Sequence, residues 1–171
     1  MRKEQDMARV SFTTTVDAPI ETTFQYVDDY SHATKYMKDL VVWKPTGKVV
    51  HGIGAEFAVG MKAGPKVLES VIRFTEWKEN HGMAWESVSG LQQTGRWAFR
   101  KRGDKTEATF TMEYELGGGL AGKVLSKAVE PVIQMNIESS VKELKMQVET
   151  WNSGAHAKGV PVRKRTPAAT K

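Results

Sequence analysis

The stretch LAGKVLSKAVEPVIQMNIESSVKELKMQVETW, Leu120 to Trp151, decides the fold. Ile137, Val141, Leu144, Val148 and Trp151 recur at three- and four-residue spacing, which puts them on one helical face. Leu125, Val129, Val132 and Ile133 extend the stripe towards the N-terminus. Such a helix spans roughly 45 Å at about 1.5 Å per residue. A single stripe of that length needs a broad apolar partner, and the strands before it are the only candidate. Pro131 removes a donor and crowds the preceding turn, so a kink or break is expected there.

Working back from the helix, Ala108, Phe110, Met112, Tyr114 and Leu116 alternate with Glu107, Thr109, Thr111, Glu113 and Glu115. One face is then buried and the other solvated, as in an antiparallel sheet. Similar patterns occupy 41–50, 55–62, 66–77, 82–89 and 94–101, separated by turn signals such as Gly52-Ile53-Gly54, Gly64-Pro65 and Arg102-Gly103-Asp104. Val10, Phe12, Thr14 and Val16 form a first strand. Asp17 suits a helix cap and Pro19 a first helical turn, with Ile20, Phe24 and Val27 on one face and a second short helix near Tyr36-Met37. The predicted architecture is α+β: a curved, about seven-stranded antiparallel sheet wrapped around a long C-terminal helix, with two short helices after the first strand. One helical stripe cannot fill the whole concavity, so a cavity lined by inward strand positions is expected.

Composition sets the limits. A chain of 171 residues holds one good core, and 40% hydrophobic with 26% charged residues is ordinary for a globular protein. No apolar run is long enough to cross a bilayer and no signal-peptide core follows Met1, so a cytoplasmic location is the default. The absence of cysteine excludes disulfides and thiolate chemistry. The net charge of +5 is matched by five cations and no acids beyond Trp151: Lys158, Arg163, Lys164, Arg165 and Lys171. The expected organisation is a flexible N-terminus (1–7), one domain (8–151) and a basic disordered tail (152–171). That tail offers nucleic acid or an acidic membrane a contact, although a solubilising role is the plainer reading.

Two further patterns resemble chemistry without its context. Gly117-Gly118-Gly119-Leu120-Ala121-Gly122-Lys123-Val124 fits phosphate-loop spacing, but valine stands where a magnesium-ligating hydroxyl belongs and the strands are antiparallel. A hinge onto the sheet is the better reading, with no nucleotide. His32, His51, His81 and His156 are far apart and lack metal-ligand spacing, so they read as surface histidines, with no metal and no cofactor.

Val16-Asp17-Ala18-Pro19-Ile20-Glu21, then Phe24, Tyr26-Val27 and Asp28-Asp29, resembles the opening of the START-like superfamily. This is the polyketide cyclase/dehydrase and lipid-transport group, also called SRPBCC, with Bet v 1-type helix-grip folds. Gly54 with Phe57, Trp97-Ala98-Phe99 with Gly103 and Thr106, Glu113-Tyr114 and the closing helix continue the resemblance over roughly residues 8 to 151. It implies a cavity for a hydrophobic or aromatic small molecule, with the sheet as floor and the long helix as lid. Aromatase/cyclase members line a strand that corresponds here to Leu68, Ser70, Ile72 and Phe74. Phe74 stands at their arginine position, while Arg73 and Glu69 face the other side.

The inward, ligand-lining set is then Phe12, Phe57, Met61, Ile72, Phe74, Trp97, Phe99, Phe110, Met112 and Tyr114, closed by Met135, Ser139 and the Val132 turn. Glu86 and Tyr114 are the candidate catalytic groups, and Tyr36 could orient a ligand. Two registers are open at Glu86. Either Trp85 and Ser87 face inward and Glu86 is solvated, or Glu86 is a carboxylate inside the cavity; the cost of exposing Trp85 favours the first. The leading function is binding or carriage of a hydrophobic ligand, lipid-like or aromatic and polyketide-like. The alternatives are a polyketide cyclase/dehydrase or aromatase, and an interaction protein such as a ribosome-associated or chaperone-cofactor START-like member.

Overall fold

The computed structural model describes residues 7–117 and 119–157, and of 119–123 and 155–157 the backbone alone. The chain runs β1 (Ala8–Val16), α1 (Ile20–Asp28), a 3-10 turn (Tyr30–His32), α2 (Ala33–Tyr36), β2 (Leu40–Pro45), β3 (Glu56–Ala63), β4 (Lys66–Lys78), β5 (Gly82–Gly90), β6 (Gln92–Arg102), β7 (Lys105–Glu115) and α3 (Gly119–Ala157). The strands form one sheet in the order β1-β7-β6-β5-β4-β3-β2, each neighbouring pair antiparallel. This is the helix-grip architecture that the alternating strands and the closing helix predict.

The alternation of apolar and polar residues holds along β1 and β7. The register shifts between Leu40 and Val42 in β2, and between Val71 and Ile72 and between Phe74 and Glu76 in β4, which lets both Phe74 and Trp77 face inward. Beneath the fold, Ser11 and Thr13 of β1 hydrogen-bond Thr111 and Thr109 of β7 at 3.0 and 2.8 Å. Ion pairs join Arg73 to Glu56 and Arg96 to Glu76 across strands on the same solvated face. Arg73 therefore lies outside, as alternation requires. Its hydrogen bond holds the Glu56 carboxyl below the usual carboxylate range.

Helix α3 buries Val129, Ile133, Ile137, Val141, Leu144 and Val148, a stripe that advances in steps of three or four. It packs across β1 and α2. Hydrogen bonds fix its position: Asn136 Nδ2 donates to the Lys62 carbonyl at 3.1 Å, and Lys145 Nζ to the Thr15 carbonyl at 2.9 Å. Glu149 Oε1 accepts from the Asp17 amide at 2.8 Å and from Lys145. Burial pushes the Glu149 carboxyl up, but the Lys145 ammonium and the Asp17 amide outweigh it and hold the group below its usual range.

Three local expectations are corrected. The helix shows no break at Pro131, and Val129 and Ile133 on either side are both buried in the core. It also continues past Trp151 to Ala157, so 152–157 are helix rather than tail: propagating an existing helix adds one hydrogen bond per residue fixed. The α1 cap position is Pro19 and not Asp17, and no side chain caps it. The basic segment 158–171, the first six residues and Gly118 of the glycine run lie outside the described residues.

Two apolar clusters fill the concavity. The larger joins β1, α1, β6 and β7 to the α3 stripe. The smaller joins Ala33 and Leu40 to Ala55, Phe57, Val59 and Ile72. Met37, Phe74 and Trp85 touch both, and the seam between the clusters is where the packing opens.

Candidate ligand cavity

A cavity of about 80 Å3 occupies that seam. Its floor is the concave face of β3 to β7, and its cover is α1, the Tyr30–His32 turn, α2 and the 46–55 loop. Phe57, Met61, Ile72, Phe74, Trp97, Phe110 and Met112 line it, as the strand alternation predicts. Among the described residues, nine aromatic side chains and four methionines share the wall. The rings touch in sequence around it. Trp43 stacks on Phe57 at 4.4 Å, Phe57 meets Phe74 edge-on at 5.9 Å, and Trp85 lies 5.7 Å from Phe74 and 5.8 Å from Phe110. Trp97 closes on Phe110 at 5.0 Å.

Trp85 owes its place to Gly95, its partner across the β5–β6 ladder. A Cβ on Gly95 would sit 2.2 Å from the indole Cε2, so only glycine lets the ring lie flat on the sheet. The inward register of Trp85 leaves Glu86 exposed, facing Thr94 on the outer surface. Glu86 is thereby removed from the catalytic candidates.

The remaining predicted residues lie elsewhere. Phe12, Phe99 and Tyr114 point into the concavity but pack in the larger cluster, beneath α3 and α1, away from the cavity. Tyr114 is fully buried; burial, then the Glu130 carboxylate, pushes its phenol up to about 12, which suits a packing residue better than an acid or base at neutral pH. Met135 is 63% exposed and Ser139 is exposed on the outer side of α3, while Val132 is half-buried outside the cavity wall. No described α3 side chain lines the cavity, which is covered instead by the short helices and the 46–55 loop. The Tyr36 hydroxyl group belongs to a residue in the wall, its phenol raised by burial and by neighbouring Tyr26.

Polar side chains interrupt the apolar wall at two places. Near the middle of the sheet, Gln93 Nε2 donates to the buried Ser70 Oγ at 2.7 Å. Towards the other end of β4, around Trp77, is a second group that spacing in the sequence does not reveal. The buried Asp28 carboxylate accepts from Trp77 Nε1 at 2.7 Å through Oδ1 and contacts His51 Nε2 through Oδ2. His51 also meets the Trp77 ring edge-on at 5.3 Å. His51 is therefore no surface histidine, and neither is His32, which stacks on Tyr26 at 4.1 Å with Nδ1 against the Tyr26 carbonyl. Among the described residues, no cluster of side chains suited to hold a metal ion occurs.

Comparison with known proteins agrees with this fold. The family described as polyketide cyclase / dehydrase and lipid transport matches residues 7–149. No curated protein matches the sequence. Among solved structures, a Thermus thermophilus protein is similar at 23% identity and a TM-score of 0.73, covering 84% of this chain and 99% of its own. The Zhui aromatase/cyclase from Streptomyces sp. is similar at 12% identity and a TM-score of 0.72, covering 84% and 94%. A START superfamily protein from Mycobacterium smegmatis is similar at 17% identity and a TM-score of 0.67, covering 84% and 98%. At such identities the likeness is one of fold; the family match spans most of the sequence. The chain belongs to the polyketide cyclase/dehydrase and lipid-transport family.

Proposed function

We propose that the protein binds and carries a hydrophobic small molecule, aromatic or lipid-like, in the cavity between the sheet and the short helices. One observation carries the reading: an aromatic-walled space stays open at the seam of an otherwise well-packed core. Protein interiors rarely keep voids larger than a water molecule. At about 24 cal/mol per Å3, leaving 80 Å3 open costs on the order of 2 kcal/mol, which one or two larger side chains would recover. Rings supply flat apolar contacts, and Met37, Met61, Met83 and Met112 let the wall adapt. That adaptability matters, because a dry cavity of about 150 Å3 accommodates benzene and this one is smaller at rest. Native mass spectrometry of the purified protein, with organic extraction of what accompanies it, tests the reading. A stoichiometric apolar adduct is expected; a bare protein that also takes up no added aromatic or acyl compound refutes it.

The cyclase/dehydrase alternative has one observation in its favour, the carboxylate–imidazole pair of Asp28 and His51 in the cavity wall. The likeness to an aromatase/cyclase supports an aromatic or polyketide-like occupant in both readings. Turnover of a poly-β-ketone substrate, absent in a His51→Phe protein that still binds aromatics, would select catalysis over carriage.

A further inference from the structure

Asp28 occupies an expensive place. It ends α1, where the helix dipole presents its negative pole, and it is buried. Both carboxylate oxygens are nevertheless used, Oδ1 by the Trp77 indole and Oδ2 by His51 Nε2. An anchor for α1 alone needs only one of these bonds. The consequence of the second is to fix the imidazole: with Nε2–H held by the carboxylate, the neutral ring must present Nδ1 as an acceptor. That nitrogen has no hydrogen-bond partner among the described residues and is not sealed from accessible space. His51 itself borders the cavity.

We propose that the Asp28–His51 pair is the polar anchor of the cavity, and that its ligand is an uncharged aromatic compound bearing a phenolic or enolic hydroxyl. The hydroxyl donates to His51 Nδ1 while the ring lies among the wall aromatics. The inference rests on the cavity being a ligand site and adds what the ligand must carry. Charge selects the class. No lysine or arginine lines the cavity among the described residues, and the one anionic side chain in the wall is Asp28 itself. A carboxylate or phosphate ligand would meet a like charge and no cation of its own. A hydroxyl donor meets an oriented acceptor. An ether of the same shape leaves Nδ1 unpaired, so the site distinguishes the two.

Three small probes separate the possibilities: 4-fluorophenol, 4-fluoroanisole and 4-fluorobenzoate, titrated against the full chain by fluorine NMR. The phenol is expected to bind at least about fivefold more tightly than the anisole, the effect of one added hydrogen bond, and the benzoate most weakly. In His51→Phe the phenol preference falls below about twofold while the anisole still binds. Equal affinity of phenol and anisole for the unaltered protein, a preference unchanged in His51→Phe, or tightest binding of the benzoate would each overturn the anchor. Failure of all three probes to bind instead overturns the cavity reading on which it rests. A measurement that needs no variant is imidazole nitrogen NMR. The Nε2–H tautomer with a bare Nδ1 that shifts on adding 4-fluorophenol supports the proposal; an Nδ1–H tautomer contradicts it.

Discussion

Gly95→Ala tests how the cavity floor is built. The added Cβ would lie 2.2 Å from Trp85 Cε2 and Cζ2 and 2.5 Å from Nε1, whereas ordinary contact begins at 3.4 Å. The indole must then lift by about 1.2 Å. The sheet lies beneath it and Phe74 and Phe110 flank it, so the ring moves toward the cavity. Overpacking of this kind costs about 1–3 kcal/mol. For a domain of this size that lowers Tm by roughly 3–10 °C. Urea unfolding of Gly95→Ala, Trp85→Phe and the double variant reads the coupling directly. Because Phe lacks Cζ2 and the rest of the outer indole ring and can turn away from the new Cβ, the double variant should recover at least about 1 kcal/mol relative to the sum of the single changes. Binding of 4-fluoroanisole should weaken in Gly95→Ala and return in the double variant. Costs that add to within about 0.5 kcal/mol, or an unaltered Gly95→Ala protein, would refute this account of the floor.

Leu144→Ala removes a fully buried side chain from the α3 stripe and should cost about 2–5 kcal/mol, with aromatic binding to the folded protein unchanged, since no described α3 side chain lines the cavity. A loss of affinity without a loss of stability would reverse that assignment. Met135→Lys, on the opposite side of the same helix, should change urea stability by no more than about 0.5 kcal/mol. Tyr114 tests the pH dependence. Its folded pKa of about 12 lies above the unfolded value of 10.0, so the native state holds the proton longer and stability falls as pH rises from 10 towards 12. Tyr114→Phe should be less stable at neutral pH from lost packing, yet show a shallower decline over that window in pH-stepped urea melts.

The last strand was readable because its alternation is strict: one face carries Phe110, Met112 and Tyr114, the other Thr109, Thr111 and Glu113. Period two allows only one inward set once Trp85 is placed, and that settles Glu86 and Arg73 as well. Met135 failed for a reason visible in the helix itself. It stands two residues from both Ile133 and Ile137, about 200° around the axis from the stripe they define, so it faces solvent. Phe12, Phe99 and Tyr114 show a different limit. Alternation says which face a residue shares, but the concave face has two covers, and only the packed fold divides the positions under α3 from those under α2 and the 46–55 loop. The Asp28–His51–Trp77 group left almost no trace. Its members are 23 and 26 residues apart and no fixed spacing joins them. The available signal was a loop too apolar for a loop, with Val49, Val50 and Ile53 around His51.

The central claim is that an aromatic ligand sits between the sheet and the short helices. Mapping the backbone and indole NMR shifts of the full chain on titration with 4-fluorophenol tests it most directly. Saturable shifts at Phe57, Phe74, Trp77, Trp85 and Trp97, with Phe12 and the α3 residues Met135 and Ser139 unmoved, are the predicted result. Shifts concentrated on α3 and β1, or none at saturating probe, would contradict it.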